Sequence, residues 1–286
     1  MLIKNYLHQG PGLRIARLNV HYAKETPLLP FAVDDYLLNG LNKEALPYDL
    51  ILHTWTTDPT LILGMQDTRL PYLDQALAAV EEKTPYQAVV RPAGGLAVIS
   101  EPGVVNYTLH LGPHSYPDKL SIDQAYQIKV QLLQDLLAPY QLQLTTGEVS
   151  DSYCPGKFDV SLAGKKIAGI AQRRIGGAIG IFTYLSLYGQ QDYRGQVVKN
   201  FYQLGKQNQA TKTKYPIINP DSMANLKASL PRIQSTDQVT EALEGVISQD
   251  LGTSFEEIDL ATLDQKILHD QVQRMIKRNQ RLTEGR

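Results

Sequence analysis

Apolar and polar positions alternate most cleanly over 105–111. Val105, Tyr107, Leu109 and Leu111 take one face and Asn106, Thr108 and His110 the other, which predicts a half-buried strand. A second alternating run spans Ala178–Tyr188, with Ile179, Ile181, Leu185 and Leu187 opposite Phe182, Tyr184 and Tyr188. Shorter runs predict strands at Ile51–Trp55, Thr60–Leu63 and Ala88–Arg91. They also predict a hairpin in which Phe158, Val160 and Leu162 lead into Ala163-Gly164-Lys165 and Ile167–Ile170 returns. Helical spacing marks Phe31–Leu41, just after Pro30, and Tyr72–Lys83, with Leu73, Leu77 and Val80 on one face. Ser121 and Gln124 form a capping box ahead of the stripe Ile122, Tyr126, Val130, Leu133 and Leu137, which Pro139 ends. Past Tyr215-Pro216 the strands run out, and Asp237–Leu251 and Leu260–Asn279 read as helices. Strands and helices mix without a βαβ rhythm. This predicts an α+β fold with a mixed, largely antiparallel sheet flanked by helices. No repeat or long linker divides the chain, so one large domain over 1–220 with a helical extension over 221–286 is expected.

Composition narrows the class. With 43% hydrophobic residues in 286, the chain can bury a sizeable core. Its 28 Lys+Arg against 29 Asp+Glu leave a net charge of −1, which gives no bulk attraction to nucleic acid. The first residues, MLIKNYLHQG, lack the apolar run and cleavage site of a signal peptide, and Gly176–Gly189 is too short to span a bilayer. A cytoplasmic protein without a membrane partner is expected. Cys154 is the only cysteine, which excludes an intrachain disulfide and any multi-cysteine metal site.

That cysteine sits in Ser152-Tyr153-Cys154-Pro155-Gly156, where Pro and Gly place it in a turn. It is either a small buried hydrophobe or a nucleophile presented to a ligand. An unperturbed thiol ionises near about 8.5, so a nucleophile needs a partner that favours the thiolate. Lys166, just before the apolar Ile167-Ala168-Gly169-Ile170, is a candidate if the turn folds back; otherwise it is a surface lysine beside Lys165. Arg91-Pro92-Ala93-Gly94-Gly95-Leu96-Ala97-Val98 puts two glycines between strands. That is either a hairpin turn or a close backbone approach to a ligand. It lacks the Lys-Ser/Thr ending of a phosphate loop. His110 and His114 are separated by Gly112-Pro113, so no helical zinc pair forms and no metal site is expected. Arg274, Lys277, Arg278, Arg281 and Arg286, against Glu284, form a solvated helix face or a docking patch for an acidic protein.

Taken together, these motifs resemble the biotin/lipoate protein ligase family. Arg91–Val98 resembles its arginine and glycine-rich motif, Val104–Leu109 the strand after it, and Gly164–Gln172 its lysine motif. Tyr153–Asp159, with the Arg173-Arg174 pair, resembles the cysteine-dependent lipoyl-relay branch, the amidotransferases that take octanoyl groups from glycine cleavage H protein. The family often doubles the arginine and follows it with Ser, where this chain has Arg91-Pro92-Ala93. The resemblance implies the biotin/lipoate ligase catalytic fold over 1–220. It implies that Cys154 takes the octanoyl group from a lysine of H protein as a thioester and passes it to a lysine of the lipoyl domains of 2-oxoacid dehydrogenase E2 subunits. Lys166 would stabilise the thiolate and orient the acyl carbonyl. Arg91, Gly94, Gly95, Asn106 and Gly169 would line the acyl site. No ATP, metal or other cofactor would be needed. Other readings stay open: acyl carrier protein as donor, an ATP-dependent lipoate ligase, or a non-catalytic acyl or biotin binder.

Overall fold

A computed structural model of the chain describes residues 3–10, 12–117 and 119–282. In chain order its principal elements are β1 (Ile15–Tyr22), α1 (Leu29–Asn42), β2 (Leu50–Thr57), β3 (Thr60–Leu63), α2 (Leu73–Lys83), β4 (Gln87–Val90), β5 (Val98–Ser100), β6 (Val104–Leu111), α3 (Ile122–Leu137), β7 (Leu144–Thr146), β8 (Val160–Leu162), β9 (Lys165–Ile175), β10 (Ala178–Ser186), α4 (Gln191–Lys206), α5 (Thr236–Leu251), β11 (Phe255–Glu257) and α6 (Gln265–Asn279).

An eight-stranded sheet runs in the order β11-β1-β2-β6-β10-β9-β8-β7. Its pairings are antiparallel except that β1 is parallel to both β2 and β11. A second sheet, β4-β3-β5, stands beside it. The α+β class with a largely antiparallel mixed sheet is therefore the observed one.

Both faces of the large sheet are covered. One packs on α3 and α5 through Leu109, Ile181, Leu132, Leu136 and Leu243, and the other on α1, which α6 backs. This corrects the reading of 105–111. All eight residues of β6 are buried, because on its polar face His110 meets Asp34 of α1 and Asn106 meets Ser100 of β5. The capping box of α3 forms as the sequence predicts. Leu133 and Leu137 of the expected stripe lie in the core, joined there by Ala125, Ile128, Leu132 and Leu136. Ile122 is exposed, and Tyr126 turns toward a cavity beside the sheet, stacked on Phe158 with ring centroids 4.6 Å apart.

Two further expectations change. The helix expected from Leu260 begins at Gln265, because the Asp264 carboxylate accepts the N–H groups of Lys266 and Ile267 and sets the cap there. Strands do not run out after Tyr215-Pro216: β11 pairs with β1, Ile15 opposite Phe255. Three residues at a sheet edge carry no alternation from which to read a strand. β1 and α4 are also observed and were not expected.

Lys129 on α3 is buried, with Nζ 3.3 Å from the Tyr107 carbonyl and 3.8 Å above the Tyr107 ring. Burial pushes its amine well below the usual 10.5, against the pull of Asp34. The unfolded chain binds a proton here that the folded chain resists. This group therefore makes stability rise with pH between its lowered folded value and 10.5. Lys129→Met is expected to abolish that slope and to raise Tm at neutral pH by about 2–4 °C, measured by calorimetry across a pH series.

Candidate active site

The polar face of the large sheet forms the floor of a slot of about 300 Å³. Strand register sets out that floor in two rows. One crosses Gly169, Tyr184, Asn106 and Trp55; the other crosses Ala171, Phe182 and Thr108, beyond which His53 continues the row on β2 outside the lining. The Arg91–Ala97 loop and the turn around Cys154 form the other side. Cys154, Lys166, Arg91, Gly94, Gly95, Asn106 and Gly169, all singled out from the sequence, line this one cavity.

Cys154 is half-buried and sits at φ 48, a left-handed conformation rare for a residue with a side chain. Its sulfur accepts the Leu96 N–H at 3.1 Å and lies 3.7 Å from Arg91 Nη2. Gly95, at φ 96, has no room for a side chain: a Cβ there would stand 2.6 Å from Arg91 Nη2 and 2.8 Å from the sulfur. Gly64 is packed as tightly, 1.9 Å from its notional Cβ to the Gly95 carbonyl oxygen.

Arg91 curls this loop by donating to the carbonyls of Gly94 (3.0 and 3.2 Å) and Leu96 (2.8 Å). Asp67 braces it from behind. Its carboxylate accepts the Gly64 N–H at 2.8 Å and the Tyr202 hydroxyl at 2.9 Å, and that hydroxyl accepts the Ala97 N–H at 2.9 Å. Burial pushes Asp67 up to about 6, only partly offset by these bonds.

Lys166 is buried and is no surface lysine, whereas Lys165 is exposed. Its ammonium pairs with Asp159 at 2.9 Å and donates to the carbonyls of Cys154 (2.8 Å) and Tyr153 (3.0 Å) and to the Ser152 hydroxyl (3.2 Å). The turn does fold back, as the pairing of positions 154 and 166 requires. The lysine grips the backbone of the nucleophile candidate, while the sulfur's own neighbours come from the Arg91 loop. Burial pushes the Asp159 carboxyl up, and Lys166 pulls it back. Asn106 donates to Ser100 Oγ at 2.8 Å. Gly169 leaves space for Lys166, whose Cε lies 3.4 Å from the notional Cβ.

The histidines separate. His114 is exposed beside Glu44, whereas His110 is buried and gives Nε2 to Asp34 Oδ1 at 2.9 Å. His53 Nδ1 meets the same oxygen at 2.8 Å, and its Nε2 meets the Tyr22 hydroxyl at 2.9 Å. Burial alone would raise the Asp34 carboxyl, but the two histidines outweigh it and hold it at about 2. The three residues place possible ligand atoms within 4.8 Å of one another. His110 Nδ1, however, has no partner among the described residues, so the outer hydrogen bond that orients a metal-bound imidazole is lacking. The trio fits a hydrogen-bonded carboxylate better than a metal centre.

Arg173 pairs with Asp35 at 2.5 Å, and Arg174 donates to the carbonyls of Leu120 and Ser121. The pair therefore anchors α1 and the start of α3. In the basic C-terminal run Arg274 and Lys277 are exposed and Arg278 is partly buried. The Arg281 side chain, Glu284 and Arg286 lie outside the described residues.

Residues 26–248 match the family model described as the lipoyl protein ligase A/B catalytic domain. The chain belongs to this family. It is 38% identical over 213 residues to the octanoyl-[GcvH]:protein N-octanoyltransferase of Geobacillus kaustophilus, covering 74% of each chain. Proteins of the same name from Oceanobacillus iheyensis and Staphylococcus aureus are 33% and 32% identical, over 89% and 92% of each chain. Among solved structures, a lipoate-protein ligase A bound with ATP superposes with a TM-score of 0.66 at 18% identity. It is covered over 94% of its length by 91% of this chain. The putative lipoate protein ligase Ta0514 of T. acidophilum, with bound lipoic acid, gives 0.67 at 17% identity, over 92% of this chain and 94% of its own. These two establish the fold. Among the described residues, no helix is long and apolar enough to cross a membrane.

Sequence reading missed Asp159, Asp67 and Tyr202. Asp159 stands three residues past Gly156 and accepts that glycine's N–H, a local turn signal that could have found it. Asp67 and Tyr202 are brought together from 135 residues apart, and no local signal links them. Lys166→Ala is expected to cost about 3–5 kcal/mol, because it leaves Asp159 buried without a counter-charge. Lys166→Met with Asp159→Asn should recover part of that loss. Urea midpoints of the parent, single and double variants check both.

Proposed function

We propose that the protein moves an octanoyl group from a lysine of glycine cleavage H protein to a lysine of the lipoyl domains of 2-oxoacid dehydrogenase E2 subunits, with Cys154 as the acyl carrier. The observation that carries this reading is the only thiol of the chain, lining a largely apolar slot with a backbone N–H on its sulfur. The names of the relatives supply the donor and the acyl group.

In the first half-reaction the Cys154 sulfur attacks the carbonyl carbon of the octanoyl-lysine amide. The C–N bond breaks, the thiol proton goes to the departing lysine amine, and a thioester forms. In the second half, an acceptor lysine amine attacks the thioester, the new amide forms, and the proton returns to sulfur. An amide is exchanged for an amide, so the overall step is near thermoneutral and requires no ATP or metal. The covalent intermediate splits one difficult exchange into two easier ones.

The Leu96 N–H and the Arg91 guanidinium stabilise negative charge on the sulfur. Lys166 fixes the carbonyls of residues 153 and 154, and so the direction in which the thiol points. Gly94, Gly95, Asn106 and Gly169 line the acyl site, where each buried methylene contributes about 0.8 kcal/mol. Residues 1–220 carry the chemistry in this reading. The extension over 221–286 presents Arg274 and Lys277 to solvent, where they would steer an acidic carrier domain.

Intact mass spectrometry after mixing with octanoylated H protein, without ATP, tests the covalent step. A gain of one octanoyl group is expected, absent in Cys154→Ala, with transfer reduced about a thousandfold or more in that variant. An adduct formed from octanoyl acyl carrier protein but not from octanoylated H protein would replace the donor. ATP-dependent activity retained in Cys154→Ser would replace the mechanism.

A further inference from the structure

The octanoyl-transfer reading leaves the far end of the slot without a role, and the inference drawn from that end rests on it. We propose that Asp34, held by His53 and His110, closes the slot at β2 and limits it to acyl chains of octanoyl length.

The register of the sheet gives the slot a direction. Its thiol end lies at β9, where Gly169 faces Lys166 and Lys166 bonds the Cys154 carbonyl. From there the two floor rows cross β10 and β6 to reach β2 at Trp55 and His53. Three strand spacings make this about 14 Å. Up to β6 the floor carries no charge: Gly169, Ala171, Phe182, Tyr184, Asn106 and Thr108. At β2 the character changes. Phe31 and Asp34, three residues apart on one face of α1, close over the row, with Phe31 edge-on to Trp55 at 5.7 Å.

Asp34 is fully buried. Its Oδ1 takes both histidines, and its Oδ2 has no partner among the described residues. An acyl chain that stops before β2 leaves this carboxylate undisturbed. A longer chain presses methylene groups against an ionised oxygen, a costly contact. The trio is also an expensive way to fill space, because apolar side chains of similar volume commonly pack there more stably. A length-setting role accounts for a charge at this depth.

The test uses the full chain with H protein carrying hexanoyl, octanoyl, decanoyl or dodecanoyl groups, and reads kcat/KM for acylation of Cys154 by intact mass. In the parent, kcat/KM should fall about tenfold or more between octanoyl and decanoyl. Asp34→Asn, which removes the charge at constant size, and Phe31→Leu, which lengthens the slot, should each raise the decanoyl-to-octanoyl ratio about tenfold, the worth of two further buried methylenes. A purely structural role would lower every chain alike and leave that ratio unmoved. An unmoved ratio in a folded variant overturns the proposal, as does a parent that accepts dodecanoyl as readily as octanoyl. Should Asp34→Asn fail to fold, Phe31→Leu decides. Should no chain acylate Cys154, the octanoyl-transfer reading fails separately. Calorimetric binding of free octanoate and decanoate to the parent and to Phe31→Leu then tests the stop: a preference for octanoate that Phe31→Leu relaxes supports it, and equal binding overturns it.

Discussion

The ion pair of Lys166 and Asp159 sits in the interior with both charges removed from water, an arrangement that is stable only when the remaining donors and acceptors are filled. They are filled from one short segment. Lys166 takes the carbonyls of residues 153 and 154 and the Ser152 hydroxyl, while Asp159 takes the N–H groups of Val149 and Gly156. The loop from 149 to 159 is thus wrapped around its own counter-charges. Cys154 stands within it in a left-handed conformation that an unanchored chain would abandon. The direction of the thiol depends on this one buried interaction.

A second loop must arrive independently for the site to exist. The Arg91–Ala97 segment comes from the small sheet and is shaped by Arg91 on its inner side and by Asp67 with Tyr202 behind. It brings the Leu96 N–H to the sulfur, and only glycine at 95 permits that approach. The proposed nucleophile and the N–H donor to its sulfur therefore sit on separate elements, each braced by its own hydrogen bonds. That is the arrangement covalent acyl transfer needs, because the sulfur must meet its donors without reorganising.

The sheet supplies the third component. Covering β6 on both faces gives its polar residues a dry environment, where Asn106 and Thr108 become the floor of a slot and His110 joins a buried carboxylate. The same double coverage explains why Lys129 lies in the core on the opposite face. Polar groups at such depth cost stability unless they are satisfied, and their concentration around one cavity marks where packing has yielded to function.

Much of this was legible in the chain. Period-two alternation located β6 and β10, a capping box located the start of α3, and two glycines beside an arginine, one cysteine in a turn and a lysine before an apolar run marked five residues of the slot, to which the family resemblance added Asn106 and Gly169. Local patterns report what neighbouring residues share, so they succeeded wherever a contact is made within one turn or one strand. They could not show that the polar face of β6 is buried, that α3 turns Tyr126 toward the slot, or that three residues at 255–257 extend the sheet. Nor could they assign Lys166 to the backbone of Cys154 and Arg91 to its sulfur. Those facts follow from which distant segments pack together, and the free energy that selects the packing is spread over the whole core and written at no single position.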